Sequence, residues 1–394
     1  MSESAAVLLR EAAAVAFAGE AYTIDTMILP NDFAAQWEDL GRDLTAAFAA
    51  VGSSGWYILG AEVKAFEADL AQFWGLGHAV GVASGLDAIE IGLRVLGCGP
   101  GDKVLTSPIS AFATVLAILR MGALPVFADC DSQGLIDLDQ AAEVLRRDEA
   151  IRFMVPVHLY GFSLDLERLR RLRERYGILM VEDCAQSIGA RWGGSATGSA
   201  GQVAATSFYP TKNLGALGDG GALLMEDEAL RDRARVLRDY GQTAKYRHEV
   251  IGFNSRLDEL QAALLRRVLL PRVEGWTERR RTIADRYARG IVNSRMVLPA
   301  REGDCEPVWH LFPIRVHGKK ELMSHMRDHG IVTAEHYPFA LADQPAMTST
   351  PYEAPLGLEV SRAFCASQVS LPIHPYLTDA QVDTVIAACN AWEG

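Results

Sequence analysis

Short apolar runs alternate with helix-like segments between about residue 60 and residue 225. Each run is nearly continuous in apolar residues, which is typical of strands buried on both faces of a parallel sheet. Most runs are followed by segments whose apolar residues recur every three to four positions, the spacing of one helix face. Seven strands are predicted, at residues 79–84, 103–108, 124–131, 152–161, 178–187, 204–210 and 221–226. The pattern therefore predicts an α/β fold with a mostly parallel seven-stranded sheet.

The periodicity changes after this region. Residues 227–290 predict long helices, among them LDELQAALLRRVLL. From about residue 291 the chain predicts a strand (VWHLFPIRV), a helix (KKELMSHMRDHG), a strand (IVTAEHY) and a terminal helix (TDAQVDTVIAACN). We therefore expect an N-terminal extension (1–34), a large α/β domain (35–290) and a small α+β domain (291–394). The start of the extension predicts an amphipathic helix rather than a signal peptide, because it lacks a basic beginning and a long apolar stretch.

The composition excludes several classes of protein. The 394 residues are 49% apolar and 22% charged, as in an ordinary globular protein with a large core. The formal net charge of −12 argues against a surface for nucleic acid or anionic membranes, although it permits a local site for a small anion. No apolar run approaches the roughly 18 residues of a membrane span. Six cysteines without metal-binding spacing predict no metal site, reduced thiols and a cytoplasmic location.

Candidate chemistry lies where predicted strands end, since ligands of open α/β sheets gather at the carboxyl ends of strands. The turn SGLD (84–87) offers N–H groups at a helix start, which suits a phosphate, or is only a tight turn with a capping side chain. Glu182-Asp183 follows a buried strand, where a carboxylate needs a cation or a functional site, with a cap or a structural ion pair as the alternative. Gln186 adds a neutral donor nearby.

The stretch TSFYPTKNLGALGDGG (206–221) places Lys212 in a glycine-rich loop. An amine in a tight, partly desolvated loop has a lowered pKa and can form a Schiff base, whereas most lysines are solvated surface groups. Ser207 offers a hydroxyl to a phosphate, and Asn254 precedes a long helix that it would cap by default. An amine, a carboxylate, and N–H and hydroxyl donors together match the requirements of pyridoxal 5′-phosphate.

Eight motifs follow one another along residues 35–392: GWYILGAEVKAFEADLA, VASGLDAIEIGL, PVHLYG, VEDCAQSIGA, SFYPTKNLGALGDGGAL, GFNSRLDELQAALL, EHYP and SLPIHPYLTDAQVDTVI. This order resembles that of the sugar aminotransferases, which are fold-type I (aspartate aminotransferase-like) pyridoxal-phosphate enzymes. The resemblance implies that Lys212 forms the Schiff base with the cofactor and that Asp183 keeps the pyridine nitrogen protonated. It also implies that Gln186 lies near the phenolic oxygen of the cofactor.

The same resemblance implies a phosphate cradle made by Gly85, Leu86 and Ser207. Asn254 matches a residue that reaches the phosphate of the neighbouring subunit, which implies a homodimer with shared active sites. His336 and Tyr337 lie in EHYP, where the small domain of the family borders the sugar pocket.

The chain departs from the family pattern at two positions. Leu86 stands where the family usually has threonine, so only its N–H group can serve the phosphate. Ala111 stands where the family often has an aromatic residue that stacks on the cofactor ring. Phe112 follows one position later and is the candidate cover of the ring.

The resemblance implies a ping-pong transamination in amino-sugar biosynthesis, from an amino acid, by family habit L-glutamate, to a keto-sugar nucleotide. Lys212 favours this reaction over deoxygenation, since deoxygenating relatives carry histidine there. GLDA and GWYILG suggest a dTDP-linked 3-keto-6-deoxyhexose as the acceptor, with a cyclitol ketone as the alternative. A non-catalytic regulatory or scaffold protein is a rival hypothesis, although it need not keep the candidate cofactor residues. A nucleotide-dependent oxidoreductase is another, but no GxGxxG opens the first strand–helix unit.

Overall fold

The computed structural model of the protein describes residues 27–394. The predicted amphipathic helix at the start of the chain lies outside the described residues. Across residues 27–394, no helix is both long enough and apolar enough to cross a membrane.

A seven-stranded sheet forms the centre of the molecule, as the apolar runs predict. Its strands are β1 (His78–Val82), β2 (Lys103–Thr106), β3 (Leu124–Phe127), β4 (Ile151–Val155), β5 (Leu179–Asp183), β8 (Val203–Ser207) and β9 (Gly221–Met225). A short hairpin of β6 (Arg191–Trp192) and β7 (Ser195–Ala196) lies between β5 and β8 along the chain. The strand order is β1-β9-β8-β5-β4-β2-β3.

The sheet is mostly parallel, with one exception at β9. This strand runs antiparallel to both of its neighbours, β8 and β1. Because only the loop of residues 208–220, without a crossover helix, joins β8 to β9, the chain turns back beside the strand it has just left. That loop carries the lysine motif.

Helices cover both faces of the sheet, which explains why its strands are nearly continuous in apolar residues. The helices of this part of the chain are α1 (Phe33–Ser54), α2 (Ala61–Trp74), α3 (Gly85–Val95), α4 (Phe112–Arg120), α5 (Leu138–Arg147), α6 (Leu166–Tyr176) and α7 (Glu228–Arg238). Successive strand residues point to opposite faces. In β5, Val181 packs with residues of α3 and α4, whereas Met180 packs with α5 and α6.

Residues 227–290 contain less continuous helix than the sequence predicts. After α7 comes a hairpin of β10 (Gln242–Ala244) and β11 (Arg247–His248). The helical run then consists of α8 (Glu259–Leu264), a π-turn over Leu265–Leu269, a 3₁₀ turn over Leu270–Arg272, and α9 (Val273–Gly290). Pro271 explains the break, since proline has no N–H group and clashes with the preceding turn.

The last hundred residues form a small antiparallel sheet with helices. The sheet has the order β12 (Met296–Val297), β14 (Phe312–Val316) and β15 (Gln368–Leu371), while β13 (Cys305–Glu306) joins the β6–β7 hairpin. The helices are α10 (Lys319–Asp328), α11 (Glu359–Ser367) and α12 (Asp379–Ala391).

The predicted strand at IVTAEHY is wrong. Only isolated bridges form there, from Ile331 to Ile28 and from Ala334 to Ser370. The backbone N–H of His336 donates to the side chain of Gln368 at 2.8 Å instead of to a neighbouring strand, so the ladder does not extend.

Candidate active site

Asp183 ends β5 and is buried at the carboxyl edge of the sheet. One carboxylate oxygen accepts a hydrogen bond from Thr114 Oγ1 at 2.8 Å, and the other accepts one from the Ala185 N–H at 3.1 Å. Burial raises the pKa of Asp183, although the two donors and the positive charge of Lys212 act in the opposite direction. The residue is therefore a buried carboxyl group that this chain only partly compensates.

Lys212 lies in the loop that connects β8 to β9. Its own N–H donates to the Tyr209 carbonyl at 2.8 Å, and Ala216 N donates to Phe208 O at 2.7 Å, which closes the loop tightly. A Cβ on Gly215 would lie 2.2 Å from the Pro210 carbonyl oxygen, so only glycine fits there.

The amine of Lys212 is prepared for reaction at neutral pH. Burial lowers its pKa from 10.5 to about 8, and the charge of Asp183 opposes this shift. Among residues 27–394, no side chain or carbonyl forms a hydrogen bond or ion pair with Lys212 Nζ. A desolvated lysine amine of this kind is a nucleophile and a base.

The start of α3 and the end of β8 meet to form a cradle for a small anion. Ser84 caps α3 by accepting from Asp87 N at 3.1 Å, and helix geometry leaves the N–H groups of Gly85 and Leu86 without intrahelical acceptors. A Cβ on Gly85 would lie 2.5 Å from Ser207 Cβ, which shows how closely the two elements approach. The helix dipole favours an anion at this point.

Gln186 has a fixed orientation. Its amide oxygen accepts from the Tyr160 N–H at 2.6 Å, so its amide nitrogen faces the other way and donates to Tyr337 Oη at 3.2 Å. Burial and the charge of Asp183 raise the pKa of Tyr337, which stays a neutral phenol.

His336 lies beside Tyr337 and is partly buried. Its Nδ1 is 3.0 Å from Ser370 Oγ. Burial lowers its pKa to about 4, and the positive charge of Lys212 adds to this shift, so the imidazole is neutral at neutral pH. The structure thus brings His336 and Tyr337 next to the lysine and the glutamine.

For two predicted site residues the structure shows contacts with groups other than Lys212 and Asp183. Phe112 begins α4 and packs with Val115 and Phe127 in a small apolar cluster, while Ala111 precedes it as the helix cap. Asn254 is exposed and accepts a hydrogen bond from the guanidinium of Arg256. The stacking role of Phe112 and the reach of Asn254 into a neighbouring subunit stay predictions.

The residues brought together fit pyridoxal phosphate. Lys212 offers an amine, Asp183 a carboxylate of the kind that a protonated ring nitrogen requires, and Gln186 a neutral donor. The start of α3 and Ser207 provide the anion cradle, and a larger side chain at Gly85 would fill it. The sequence profile of the DegT/DnrJ/EryC1/StrS aminotransferase family matches residues 38–390.

The chain belongs to this family.

Individual relatives extend over nearly the whole length. The dTDP-3-amino-3,4,6-trideoxy-α-D-glucose transaminase of Streptomyces venezuelae is 42% identical over 364 residues, which are 92% of this chain and 95% of that protein. The crystal structure of DesV from S. venezuelae, in complex with a ketimine intermediate, superimposes with a TM-score of 0.88, at 41% identity over 93% of this chain and 97% of that one. The crystal structure of NtdA from Bacillus subtilis, with bound PMP, superimposes with a TM-score of 0.81. The two chains are 30% identical, over 89% of this chain and 81% of NtdA.

Sequence reasoning missed part of this aminotransferase site. Thr114, which hydrogen-bonds Asp183, follows the Ser110-Ala111-Phe112 stretch, where only the ring-stacking position was of interest. The spacing of Ser110 and Thr114, four residues apart at a predicted helix start, places both hydroxyls on one side of the chain and was the available signal. Tyr160 was also missed, although its N–H fixes Gln186.

Proposed function

We propose that this aminotransferase uses pyridoxal phosphate to transfer an amino group from L-glutamate to the ketone of a sugar nucleotide. The observation that carries the proposal is the placement of Lys212 beside Asp183, next to the Gly85–Ser207 cradle. Relatives named as transaminases of dTDP-3-amino sugars support a dTDP-linked 3-keto-6-deoxyhexose as the acceptor.

Lys212 is the group that moves the proton. With a pKa of about 8, roughly a tenth of its amine is neutral at pH 7 and ready to react. The bound cofactor supplies an electron sink for the negative charge that develops at the substrate carbon. Lys212 Nζ would take the proton from that carbon of the amino donor in the first half of the cycle, and would deliver a proton to the former ketone carbon of the acceptor in the second half.

The other residues hold the cofactor in place. Asp183 would accept a hydrogen bond from the protonated ring nitrogen and stabilise its charge. Gln186 directs its amide N–H toward the phenolic oxygen, since its carbonyl is occupied by Tyr160. Gly85, Leu86 and Ser207 would bind the phosphate, and Leu86 would contribute only its N–H group. His336 and Tyr337 border the sugar.

The test is a reconstitution with the purified chain. With pyridoxal phosphate and L-glutamate alone, we expect 2-oxoglutarate in a single half-reaction, read by the change in cofactor absorbance. Adding a dTDP-3-keto-6-deoxyhexose should then give multiple turnovers and the amino sugar by mass spectrometry. K212A should abolish both steps, whereas K320A, which changes an exposed lysine of α10, should leave them unchanged.

Other results identify the rival functions. A chain that binds pyridoxal phosphate without converting glutamate contradicts transamination and favours the scaffold. A chain that does not bind pyridoxal phosphate at all would contradict the proposed function, and substantial turnover by K212A would exclude Lys212 as the base. A cyclitol ketone converted faster than the sugar nucleotide would reassign the acceptor.

We also propose a homodimer with shared active sites. Several large apolar side chains are exposed: Trp56 is 62% exposed, Tyr246 83% and Ile251 88%. The Trp56 segment is ordered, because Glu259 accepts hydrogen bonds from Gly60 N, Glu62 N and Val63 N at 2.8–2.9 Å. An ordered apolar surface of this kind suits a second copy of the chain.

Shared sites can be tested by complementation. If Asn254 of one protomer serves the phosphate bound by its partner, mixing K212A with N254A regenerates one intact site in each mixed dimer. Activity should then recover to about a quarter of the wild-type value after subunit exchange. No recovery, despite a dimer by light scattering, would contradict a contribution of Asn254 across the interface.

We propose a cytoplasmic location. All six cysteines are buried and unpaired, as expected for reduced thiols in a reducing compartment. The measurement is fractionation of the producing cells, and the protein in an extracellular or periplasmic fraction would contradict it.

A further inference from the structure

Two hydroxyl groups are linked in series to the carboxylate of Asp183 by hydrogen bonds. Thr114 Oγ1 donates to one oxygen of Asp183 at 2.8 Å, and Ser110 Oγ lies 2.7 Å from Thr114 Oγ1. All three side chains are buried, with Thr114 fully so. They form a chain of hydrogen bonds that runs from the loop before α4 to the end of β5.

The direction of this chain follows from the charge on Asp183. An ionised carboxylate only accepts hydrogen bonds, so Thr114 must give its single hydroxyl hydrogen to Asp183. Thr114 then accepts from Ser110. Hydrogen bonds in such a chain polarise one another and strengthen the donation to the carboxylate at its end.

This chain of hydrogen bonds stabilises a charge that burial disfavours, since burial raises the pKa of Asp183. In residues 27–394, no cation lies within 4 Å of this carboxylate, so its direct stabilising contacts are hydrogen bonds, while the charge of Lys212 acts from farther away. Thr114 and Ala185 donate to one lone pair on each oxygen. The remaining lone pairs are available for a proton donor in the site.

We infer that Thr114, supported by Ser110, is a positioning residue that orients Asp183 and holds it as a carboxylate for the ring nitrogen of the cofactor. The inference rests on the proposed function, since it concerns the binding of pyridoxal phosphate. It adds Thr114 of α4 and Ser110, which precedes α4, to a site whose other residues lie mainly where strands end.

The experiment compares T114V with T114S, S110A and V115A. T114V removes the hydroxyl at nearly constant volume, whereas T114S keeps it. V115A is the matched control, since Val115 is buried on the same helix but packs with Phe127, away from Asp183. Two quantities are measured: the dissociation constant of pyridoxal phosphate from the apoprotein, and the NMR resonance of its ¹⁵N-labelled ring nitrogen in the bound state.

We expect T114V to bind the cofactor about tenfold more weakly, the usual size for losing a hydrogen bond to a charged group. Its ring-nitrogen resonance should move toward that of the unprotonated ring, because a less stabilised Asp183 competes better for the proton. S110A should move it less, in the same direction. T114S should restore wild-type values, and V115A should lower thermal stability without moving the resonance.

Wild-type affinity and resonance in T114V would overturn the inference while leaving the proposed function intact. If T114V does not fold, S110A decides, and an unchanged resonance in S110A overturns the inference. Wild-type protein that binds no pyridoxal phosphate would overturn the proposed function and this inference together.

Discussion

Two adjacent carboxylates end β5, and the two faces of the sheet give them different surroundings. Glu182 shares the face of Met180, toward α5 and α6, while Asp183 shares the face of Val181, toward α3 and α4. Both side chains are buried. They differ in how many of their acceptor positions the protein itself fills.

Glu182 is fully satisfied by this chain. One oxygen accepts from Ala200 N and Gly201 N, at 2.8 and 2.5 Å. The other accepts from Gly198 N at 2.9 Å and from His158 Nε2 at 2.8 Å. His158 donates with this nitrogen, because its Nδ1 accepts from Leu164 N. Burial acts to raise the pKa of Glu182, but His158 and the backbone donors outweigh it, and the pKa is lowered.

Asp183 has two protein donors, and its pKa is raised. This contrast indicates how a functional charge inside a protein can be recognised. A structural carboxylate is surrounded by donors that complete its shell, whereas a functional one keeps acceptor positions open toward a cavity and needs a ligand to complete it. Substitutions with the same geometry at both positions test this distinction.

The largest expected effect is on catalysis by D183N. Without the carboxylate, the ring nitrogen has no partner that stabilises its positive charge, so kcat/KM should fall at least about 100-fold. E182Q should stay within about tenfold of wild type per folded molecule, because Glu182 faces away from Lys212. Steady-state kinetics with matched cofactor loading measures both. Equal losses in the two variants would contradict the division between the faces.

The second effect is on stability, and there E182Q should be the damaging variant. Whichever way the glutamine is turned, its amide NH₂ meets at least one backbone N–H at 2.9 Å or less, among Gly198, Ala200 and Gly201. Breaking a buried, hydrogen-bonded charge in this way costs about 3 kcal/mol of the free energy of unfolding. Urea denaturation at pH 7 measures this loss.

The pH dependence of that loss has a definite sign. The pKa of Glu182 is lowered in the folded state, so its charge stabilises the fold above its ordinary value of 4.5 and stops doing so as the pH falls through the folded-state value. The deficit of E182Q should therefore be largest at neutral pH and shrink under acid conditions. A deficit that grows on acidification would contradict it.

Part of this comparison could be predicted from the sequence. The apolar runs predict the seven strands, and the shared edge of parallel strands predicts that Asp183 and Lys212 meet. The side to which each carboxylate points could not be predicted, because β5 is buried on both faces and its apolar pattern is the same on each. The pairing of Thr114 with Asp183 spans 69 residues and depends on how α4 packs.

Other features lay beyond the sequence for local reasons. The strands of the β10–β11 hairpin consist of residues that are polar or exposed, which give no apolar alternation. The segment IVTAEHY consists largely of residues that favour strands, but the N–H group of His336 donates its hydrogen bond to the side chain of Gln368. At IVTAEHY, therefore, a tertiary contact decided the outcome over local preference.

A third effect concerns the reactivity of Lys212 in the apoprotein. Its pKa of about 8 predicts that its acetylation by trace acetic anhydride rises steeply up to about pH 8 and then levels off. The charge of Asp183 raises this pKa, so D183N should move the midpoint to lower pH and increase the rate at pH 7 several-fold. Peptide mass spectrometry measures the rate of Lys212 acetylation at each pH, with exposed Lys320 as the internal reference. A midpoint near 10.5 would contradict a buried amine.

The smallest effect has the opposite sign to that of E182Q: D183N should make the apoprotein more stable. An asparagine fits the hydrogen bonds, since its oxygen can accept from Ala185 N while its NH₂ donates to Thr114, which then donates to Ser110 in the reversed direction. Because burial raises the pKa of Asp183, its ionised form costs stability at neutral pH, and asparagine removes that cost.

We expect a gain of about 0.5–2 kcal/mol, the usual range when a strained functional group is neutralised. The gain should be complete above the raised pKa of Asp183 and disappear as the pH falls to the unfolded value near 3.8, where both forms are neutral. Urea denaturation of the apoproteins at several pH values measures it. A D183N apoprotein less stable than wild type at pH 7 would show that Asp183, like Glu182, serves the fold; a more stable one shows that its charge is kept for the ligand.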